Sequence, residues 1–395
     1  MKKVFLNLGD QPLANDFQSK KVKSFYTLNL EFDNQNKLVS INKRVKKEIM
    51  FNKNYPYRSS LSSSVKNHFK NLSKSIKKNY SHKKMLEIGS NDGTFAQNFR
   101  KKQISCIEPC YNVGNALKKR GFKVYVRYFN DKLIESFNRK SQKFDLIFSA
   151  NTITHIDKIE KVLGNVKQIL STEGVFILEE PSFLECLKKN AFDQFYNEHI
   201  YVLSTIALKN ILKKVGLKIF KLENIEIHGG SLRYYIIHDK NYKFRTYKSL
   251  SNQIKAELKV GLHKFITYKK FAKNVFLVKK ELIKIFKEIK LKKIKIVGYG
   301  ASAKAVTVVN YCNLKENFFD YFIDTTKSKI GKYLPGTKII VKKYEKSKLD
   351  KKAFYFLGAW NFKDEIFIKE KNLLKNGGKF ILHLPMPHIY KKIRK

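Results

Sequence analysis

From Lys83 onward, short apolar runs alternate with longer amphipathic or turn-forming stretches. The runs are KMLEIGS, ISCIEP, KVYVRYF, FDLIFSA and GVFILEEP. This alternation predicts a parallel, doubly wound sheet. A helix near TIALKNILKKVG follows, then LKIFKLENIEI and SLRYYIIHD joined by an HGG turn. These two runs predict an antiparallel pair closing the sheet. Residues 247 to about 289 are highly charged with helical periodicity and read as one or two connecting helices. A second alternating unit comes next, in KKIKIVGYGASAKA, FFDYFIDTT, KAFYFLGAW and GKFILHLP. Upstream, residues 1 to about 58 read as irregular. LGDQPLANDF is turn-rich, and FYTLNLEF with KLVSIN forms a short strand pair across DNQN. Ser59 to Ser64 then cap a helix whose Val65, Phe69, Leu72 and Ile76 recur at helical spacing.

Charge changes this picture little. Lysine and arginine total 81 against 33 acidic residues, a formal net charge of +48. Such a surplus commonly marks a nucleic-acid binder. Only nine of those 81 are arginine, however, and the lysines are spread along the whole chain. Specific phosphate recognition favours the arginine fork. Compositional drift in a chain rich in Lys, Asn, Ile, Phe and Tyr explains the charge better, leaving loose, salt-sensitive attraction to polyanions. A hydrophobic fraction of 43% excludes a disordered chain. The cysteines Cys106, Cys110, Cys186 and Cys312 form no zinc signature, since CIEPC has three intervening residues and no partner pair. They read as free thiols. There is neither a signal-peptide pattern nor an apolar run of about 18 residues. The expectation is a soluble, cytoplasmic protein.

The first informative site is LEIGSNDGTF. Glu87 ends a strand, Gly89 permits a tight turn and Gly93 is placed to open a helix. The pattern differs from the dinucleotide G-x-G-x-x-G and carries no basic phosphate-holding residue. Glu108 ends the next strand, where a carboxylate accepts hydrogen bonds from both ribose hydroxyls. An adenosine ligand with an amino-acid tail fits, namely S-adenosylmethionine. Asn91, inside the turn, is counted with these cofactor contacts. Asn151 and His155, in SANTITHI, fall just past the fourth strand on the ligand-binding side of such a sheet.

Three further motifs carry chemistry. FDQFYNEHIYVLS sets Tyr196, Glu198 and His199 within four residues of apolar surroundings. HGGSLRYY holds His228 and Arg233 around a Gly-Gly turn. GYGASAKA has Gly298, Gly300 and Ala303 in a G-x-G-x-x-A pattern after a strand. That pattern suits a phosphate at a helix amino terminus, with Lys304 adding charge. Asp324, ending the next strand, is a candidate ribose or base contact.

Together with LGDQPLANDF, YPYRSSLSSSVKNHF, IEPCYNVGNA and FLGAWNFKDEI, these motifs occur in an order that resembles the nucleotide-sugar C-methyltransferases. The resemblance covers nearly the whole chain. It implies an α/β fold: a class I S-adenosylmethionine methyltransferase sheet over residues 61–245, a helical connector over 246–290, and a Rossmann-like nucleotide-sugar-binding domain over 291–395. Residues 1–60 would be a remnant of the family's zinc domain, with its cysteines absent and no metal expected. The resemblance further implies that His199, Glu198, Tyr196 and His155 form the catalytic set and that Tyr57 closes over cofactor or substrate, with Tyr55 as the alternative. His228 and Arg233 would edge the substrate pocket, and Gly298, Gly300 and Lys304 would hold the diphosphate.

A carbon beside a ketone becomes nucleophilic only after losing a proton, so a positioned base and an oxyanion donor are required. His199 is the first candidate base, with Glu198 orienting it as a carboxylate does in a catalytic triad. Tyr196 or His155 would donate to the oxyanion. Two other readings stay open: methylation of another acceptor such as a small molecule or RNA, and a non-catalytic S-adenosylmethionine-binding protein.

Overall fold

The computed structural model describes residues 2–20, 24–53 and 55–391. The first strands are β1 (Lys2–Gln11), β2 (Tyr26–Asp33) and β3 (Leu38–Ile41). The alternating region supplies β4 (Met85–Ile88), β5 (Ile104–Ile107), β6 (Lys123–Tyr125), β7 (Phe144–Ala150) and β8 (Leu170–Pro181). Then come β9 (Tyr201–Val202), β10 (Leu217–Ile225) and β11 (Ser231–His238). The last unit holds β12 (Ile296–Tyr299), β13 (Tyr321–Asp324), β14 (Val341–Lys343), β15 (Phe354–Leu357), β16 (Lys379–Leu382) and β17 (His388–Tyr390).

The middle sheet has seven strands in the order β10-β11-β8-β7-β4-β5-β6. Its β8, β7, β4, β5 and β6 run parallel, while β11 is antiparallel to both neighbours. This is the doubly wound sheet that the alternating runs predict, finished by the expected antiparallel pair. Every residue of β4 and β5 is buried, which is why these strands read as continuous apolar runs. The strand order reverses around β4, so a crevice opens beyond its carboxyl end at Gly89–Asn91. The third sheet repeats the plan, in the order β14-β13-β12-β15-β16-β17, and reverses around β12 at Tyr299–Gly300.

The helix Ser63–Asn79 begins where the serine cluster predicts, with the Ser62 hydroxyl accepting from the Val65 amide. The charged connector is two helices, Lys248–Lys259 and Phe265–Leu291.

Two expectations need correction. LGDQP is largely strand: β1 runs to Gln11, with Leu6 and Leu8 turned inward. It pairs with β2, and Phe5 and Phe32 pack on Tyr268 of the long helix. That helix lies far away in sequence, so local turn propensity misled. Moreover, no α-helix opens at Gly93. The segment instead makes one 3-10 turn, Ala96–Asn98, as Phe95 and Phe99 fold into the core.

The first sheet has a consequence for the site. Its order is β1-β2-β3-β9, and β9 follows directly on His199. Val39 pairs with Val202 and Ser40 with Tyr201, tying the amino-terminal segment to the Tyr-Glu-His motif.

Candidate active site

A single cavity of about 720 Å³ runs from the β4 crevice to the β12 crevice, with the amino-terminal segment over it. Its volume falls in the range of small-molecule and cofactor sites. On the β4 side its wall includes Glu87, Gly89, Asn91, Glu108, Asn151 and His155. Tyr196, His199 and His228 lie on the wall between the two crevices, with Tyr55 and Tyr57 above. Gly300, Lys304 and Asp324 line the β12 side.

The β4 crevice is shaped by glycine and asparagine. Gly89 has φ +75°, and a Cβ there would lie 2.1 Å from the Thr152 hydroxyl. Asn91 and Asn151 also sit in the left-handed region, at φ 48° and 50°, which asparagine tolerates better than most residues. Asn91 anchors the amino-terminal segment: its Oδ1 accepts from the Ser59 amide at 3.0 Å and its Nδ2 donates to the Tyr57 carbonyl at 3.3 Å. Glu108 accepts backbone N–H bonds on both oxygens, from Asn91 at 2.8 Å and Cys110 at 2.9 Å. Glu87 is buried, and its Oε2 has no partner. Burial, and secondarily the nearby Glu108, pushes the Glu87 carboxyl well above the usual range. A buried carboxylate oxygen without a donor calls for one from a ligand.

His199 is buried, and its two ring nitrogens have different partners. Nδ1 lies 2.7 Å from the Gln194 carbonyl oxygen. A carbonyl only accepts, so Nδ1 carries the proton and Nε2 of the neutral ring carries the lone pair. The Tyr196 hydroxyl donates to that lone pair. Burial holds His199 well below the usual imidazole range, with His155 and Lys304 adding to the effect. The His199 ring stacks on His155 at 4.9 Å between centroids, and His155 stacks on Phe51 at 5.8 Å. His155 Nε2 is buried without a partner, and burial brings this imidazole down to about 4.

Glu198 does not orient His199. Its Oε1 accepts from Asn15 Nδ2 at 2.6 Å and its Oε2 from the Tyr55 hydroxyl at 2.9 Å. It pins two amino-terminal segments against the site, and burial pushes its carboxyl up to about 7. The backbone carbonyl of Gln194 does the orienting instead. Tyr55 therefore reaches the motif, whereas Tyr57 lies on the rim, 43% exposed.

Three other candidates lie off the cavity wall. Gly93 has φ +78°, and a Cβ there would meet Leu117 at 2.4 Å, so it serves packing. Gly298 lies inside β12, where a Cβ would strike the Phe322 ring at 2.3 Å; only Gly300 faces the cavity. Arg233 points into the sheet. Its Nε is 2.5 Å from Glu179 and its Nη1 2.8 Å from Glu223, in a buried ion cluster with His68. Lys304 does line the cavity, but its ammonium donates to the Gln194 side chain.

Several contributors carried no signal in the sequence: Asn15, Asp193, Gln194, and Glu180. Glu180 is fully buried and accepts from the amides of Thr152 and Thr154 and from the Thr154 hydroxyl, fixing the turn that presents His155.

The family described as methyltransferase domain matches residues 58–222, and the family described as C-methyltransferase C-terminal domain matches residues 226–385. The chain is an S-adenosylmethionine-dependent methyltransferase that carries the C-methyltransferase carboxy-terminal domain. A curated relative is C-methyltransferase NovU of Streptomyces niveus, 27% identical over 308 residues, or 77% of this chain and 73% of that one. Among solved structures, a SAM-dependent methyltransferase of Thermotoga maritima is 22% identical, with a TM-score of 0.35, over 45% of this chain and 92% of its own. One from Clostridium acetobutylicum is 15% identical, also at 0.35, over 45% and 93%. The methyl donor is S-adenosylmethionine. The unpartnered Glu87 oxygen suits its ammonium group, and Glu108, fixed by two amides, suits its ribose.

Proposed function

We propose that this methyltransferase acts on a nucleotide-linked keto-deoxy sugar, methylating the carbon beside the ketone after removing its proton. The observation that carries this reading is the His199 Nε2 lone pair: neutral, buried and bonded only to the Tyr196 hydroxyl. A base of this kind suits a carbon acid, since an amine or a hydroxyl acceptor needs less help to become nucleophilic.

S-Adenosylmethionine supplies the electrophilic methyl. The chain's own residues do the rest. Tyr196 relays the substrate proton: its oxygen takes the proton from carbon as its own proton passes to His199 Nε2. The proton on Nδ1 stays with the Gln194 carbonyl, so the imidazolium formed is held in place. His155 Nε2, buried beside His199 and without a partner, donates to the developing enolate oxygen. General base catalysis of this sort is worth on the order of 10²- to 10⁴-fold.

The β12 crevice would take the nucleotide diphosphate. Gly300 turns the chain at φ +83°, and Ser302 caps the helix Ala303–Tyr311 through the Ala305 amide. Ser302, Ala303 and Lys304 all border the cavity, so phosphate oxygens would meet the amides of the first helical turn. Similarity to NovU and the C-methyltransferase carboxy-terminal family supports the reading.

The test is the position of the methyl group. Supply S-adenosylmethionine and a panel of nucleotide-linked keto-deoxy sugars, and locate the new methyl by NMR. A methyl on the carbon beside the ketone supports the proposal; a methyl on oxygen or nitrogen sinks it.

A further inference from the structure

The short turn Phe192–Gln194 carries two residues that face the last sheet unit. Asp193 is fully buried, and its Oδ2 accepts from Trp360 Nε1 at 2.5 Å and His383 Nε2 at 3.1 Å. Gln194 Oε1 accepts from the Lys304 ammonium, and Gln194 Nε2 donates to the His228 carbonyl at 2.8 Å. These three donors come from separate strand ends of one unit: Lys304 after β12, Trp360 after β15 and His383 after β16. All converge on two consecutive residues of the middle unit. The backbone carbonyl of the second is the group that holds the proton on His199 Nδ1.

The energetics make this a clamp rather than an incidental contact. A buried carboxylate stripped of its donors is strongly disfavoured, so Asp193 requires the last unit to be seated. The Gln194 amide is held at both ends, by Lys304 and by the His228 backbone, which leaves its main chain little freedom. We infer that Asp193 and Gln194 are positioning residues that link the seating of the carboxy-terminal unit to the proton position on His199. With the unit seated, His199 presents its lone pair at Nε2; with the clamp loosened, the carbonyl drifts and both tautomers are populated. The inference rests on His199 being the base of the proposed reaction.

The experiment uses the full chain with S-adenosylmethionine bound and histidine labelled with ¹⁵N. His199 is assigned by comparison with His199→Gln. The wild type should show a single tautomer protonated at Nδ1. Gln194→Ala should show a mixture, with kcat reduced on the order of 10- to 100-fold. Its acceptor KM should stay within about two-fold, since the loss is in the chemical step. Trp360→Phe, which removes one donor to Asp193, should move both readouts in the same direction by less. Gln194→Glu keeps an acceptor for Lys304 but loses the donor to the His228 carbonyl, so it should restore the single tautomer only in part. Folded Gln194→Ala or Trp360→Phe protein with one Nδ1–H tautomer and wild-type kcat would overturn the inference. Should Gln194→Ala fail to fold, Trp360→Phe decides. If no sugar is turned over even by the wild type, the acceptor assignment fails, and the tautomer spectra still decide the clamp.

Discussion

Glu108 and Asp324 occupy equivalent positions in the two α/β units. Each lies at the carboxyl end of the second strand of its unit, Glu108 just past β5 and Asp324 as the last residue of β13, and each carboxylate is held by two backbone amides. For Glu108 these are Asn91 and Cys110, at 2.8 and 2.9 Å; for Asp324 they are Ala301 and Thr326, at 2.8 and 2.7 Å. In both, one amide comes from the turn after the first strand and the other from two residues beyond the acid. The two units thus repeat one turn construction at the mouth of each crevice. The two acids should nevertheless serve different ligands. Glu108→Ala should weaken S-adenosylmethionine binding by about 1–3 kcal/mol, the worth of a hydrogen bond to a charged group. Asp324→Ala should leave that affinity intact and raise the KM for the acceptor. Titration calorimetry with S-adenosylmethionine and acceptor kinetics separate the two. Loss of cofactor affinity in Asp324→Ala would show that the assignment is reversed.

His199 should set the acid limb of the rate profile. Burial lowers its pKa well below 6.5, so the neutral base is fully populated at neutral pH. Activity from this group is lost only as pH falls through that depressed value. Glu198, raised to about 7, titrates independently, because it bonds Asn15 and Tyr55 rather than His199. Rates should therefore be compared in wild type and Glu198→Gln. In that variant the acid limb should lie well below pH 6.5, and a limb centred at 6.5 would contradict a buried neutral base.

His199→Ala should abolish turnover and leave cofactor affinity nearly unchanged, because the imidazole's hydrogen bonds go to Tyr196 and Gln194 and its contact toward the β4 crevice is the His155 ring alone. Parallel loss of cofactor binding would mean that the residue is structural.

Glu180 should give stability a pH dependence. Burial raises its carboxyl from 4.5 to about 7. The folded state therefore binds more protons than the unfolded state between those values. Stability from this group is fully present below about 4.5 and falls as pH rises to about 7, by roughly 3 kcal/mol in total. Glu180→Gln keeps an acceptor for both amides and gains a donor toward the Thr154 hydroxyl. Urea unfolding across this range should show a shallower pH slope in Glu180→Gln. An unchanged slope would refute the assignment.

Arg233 should matter for folding rather than for substrate. Removing it leaves Glu179 buried beside only His68. Breaking a buried pair in this way typically costs about 3–5 kcal/mol. Arg233→Met should lower the melting temperature sharply, while the surviving folded fraction keeps its acceptor KM. A raised KM with normal stability would return Arg233 to the substrate pocket.

The strand pattern alone was enough to read both parallel sheets and the crevices at Gly89 and Gly300. Apolar runs and turn glycines are local features, so they survive in one dimension. The cluster of Tyr196, Glu198 and His199 was legible for the same reason. Side-chain direction was not. Arg233 reads as an exposed pocket edge until its register opposite Glu179 turns it inward. Glu198 reads as a partner for its sequence neighbour, but its true partner Asn15 is 183 residues away. Gln194 acts on His199 through a backbone carbonyl, a group every residue has and no motif records.

The most direct test of the central claim needs no methyl donor. Incubate the protein with nucleotide-linked keto-deoxy sugars in D₂O, and follow deuterium uptake by mass. Enzyme-dependent exchange at the carbon beside the ketone, lost in His199→Ala and Tyr196→Phe, is the result expected of a buried neutral base acting on a carbon acid. Tight S-adenosylmethionine binding with no exchange on any sugar would contradict it and point to a different acceptor.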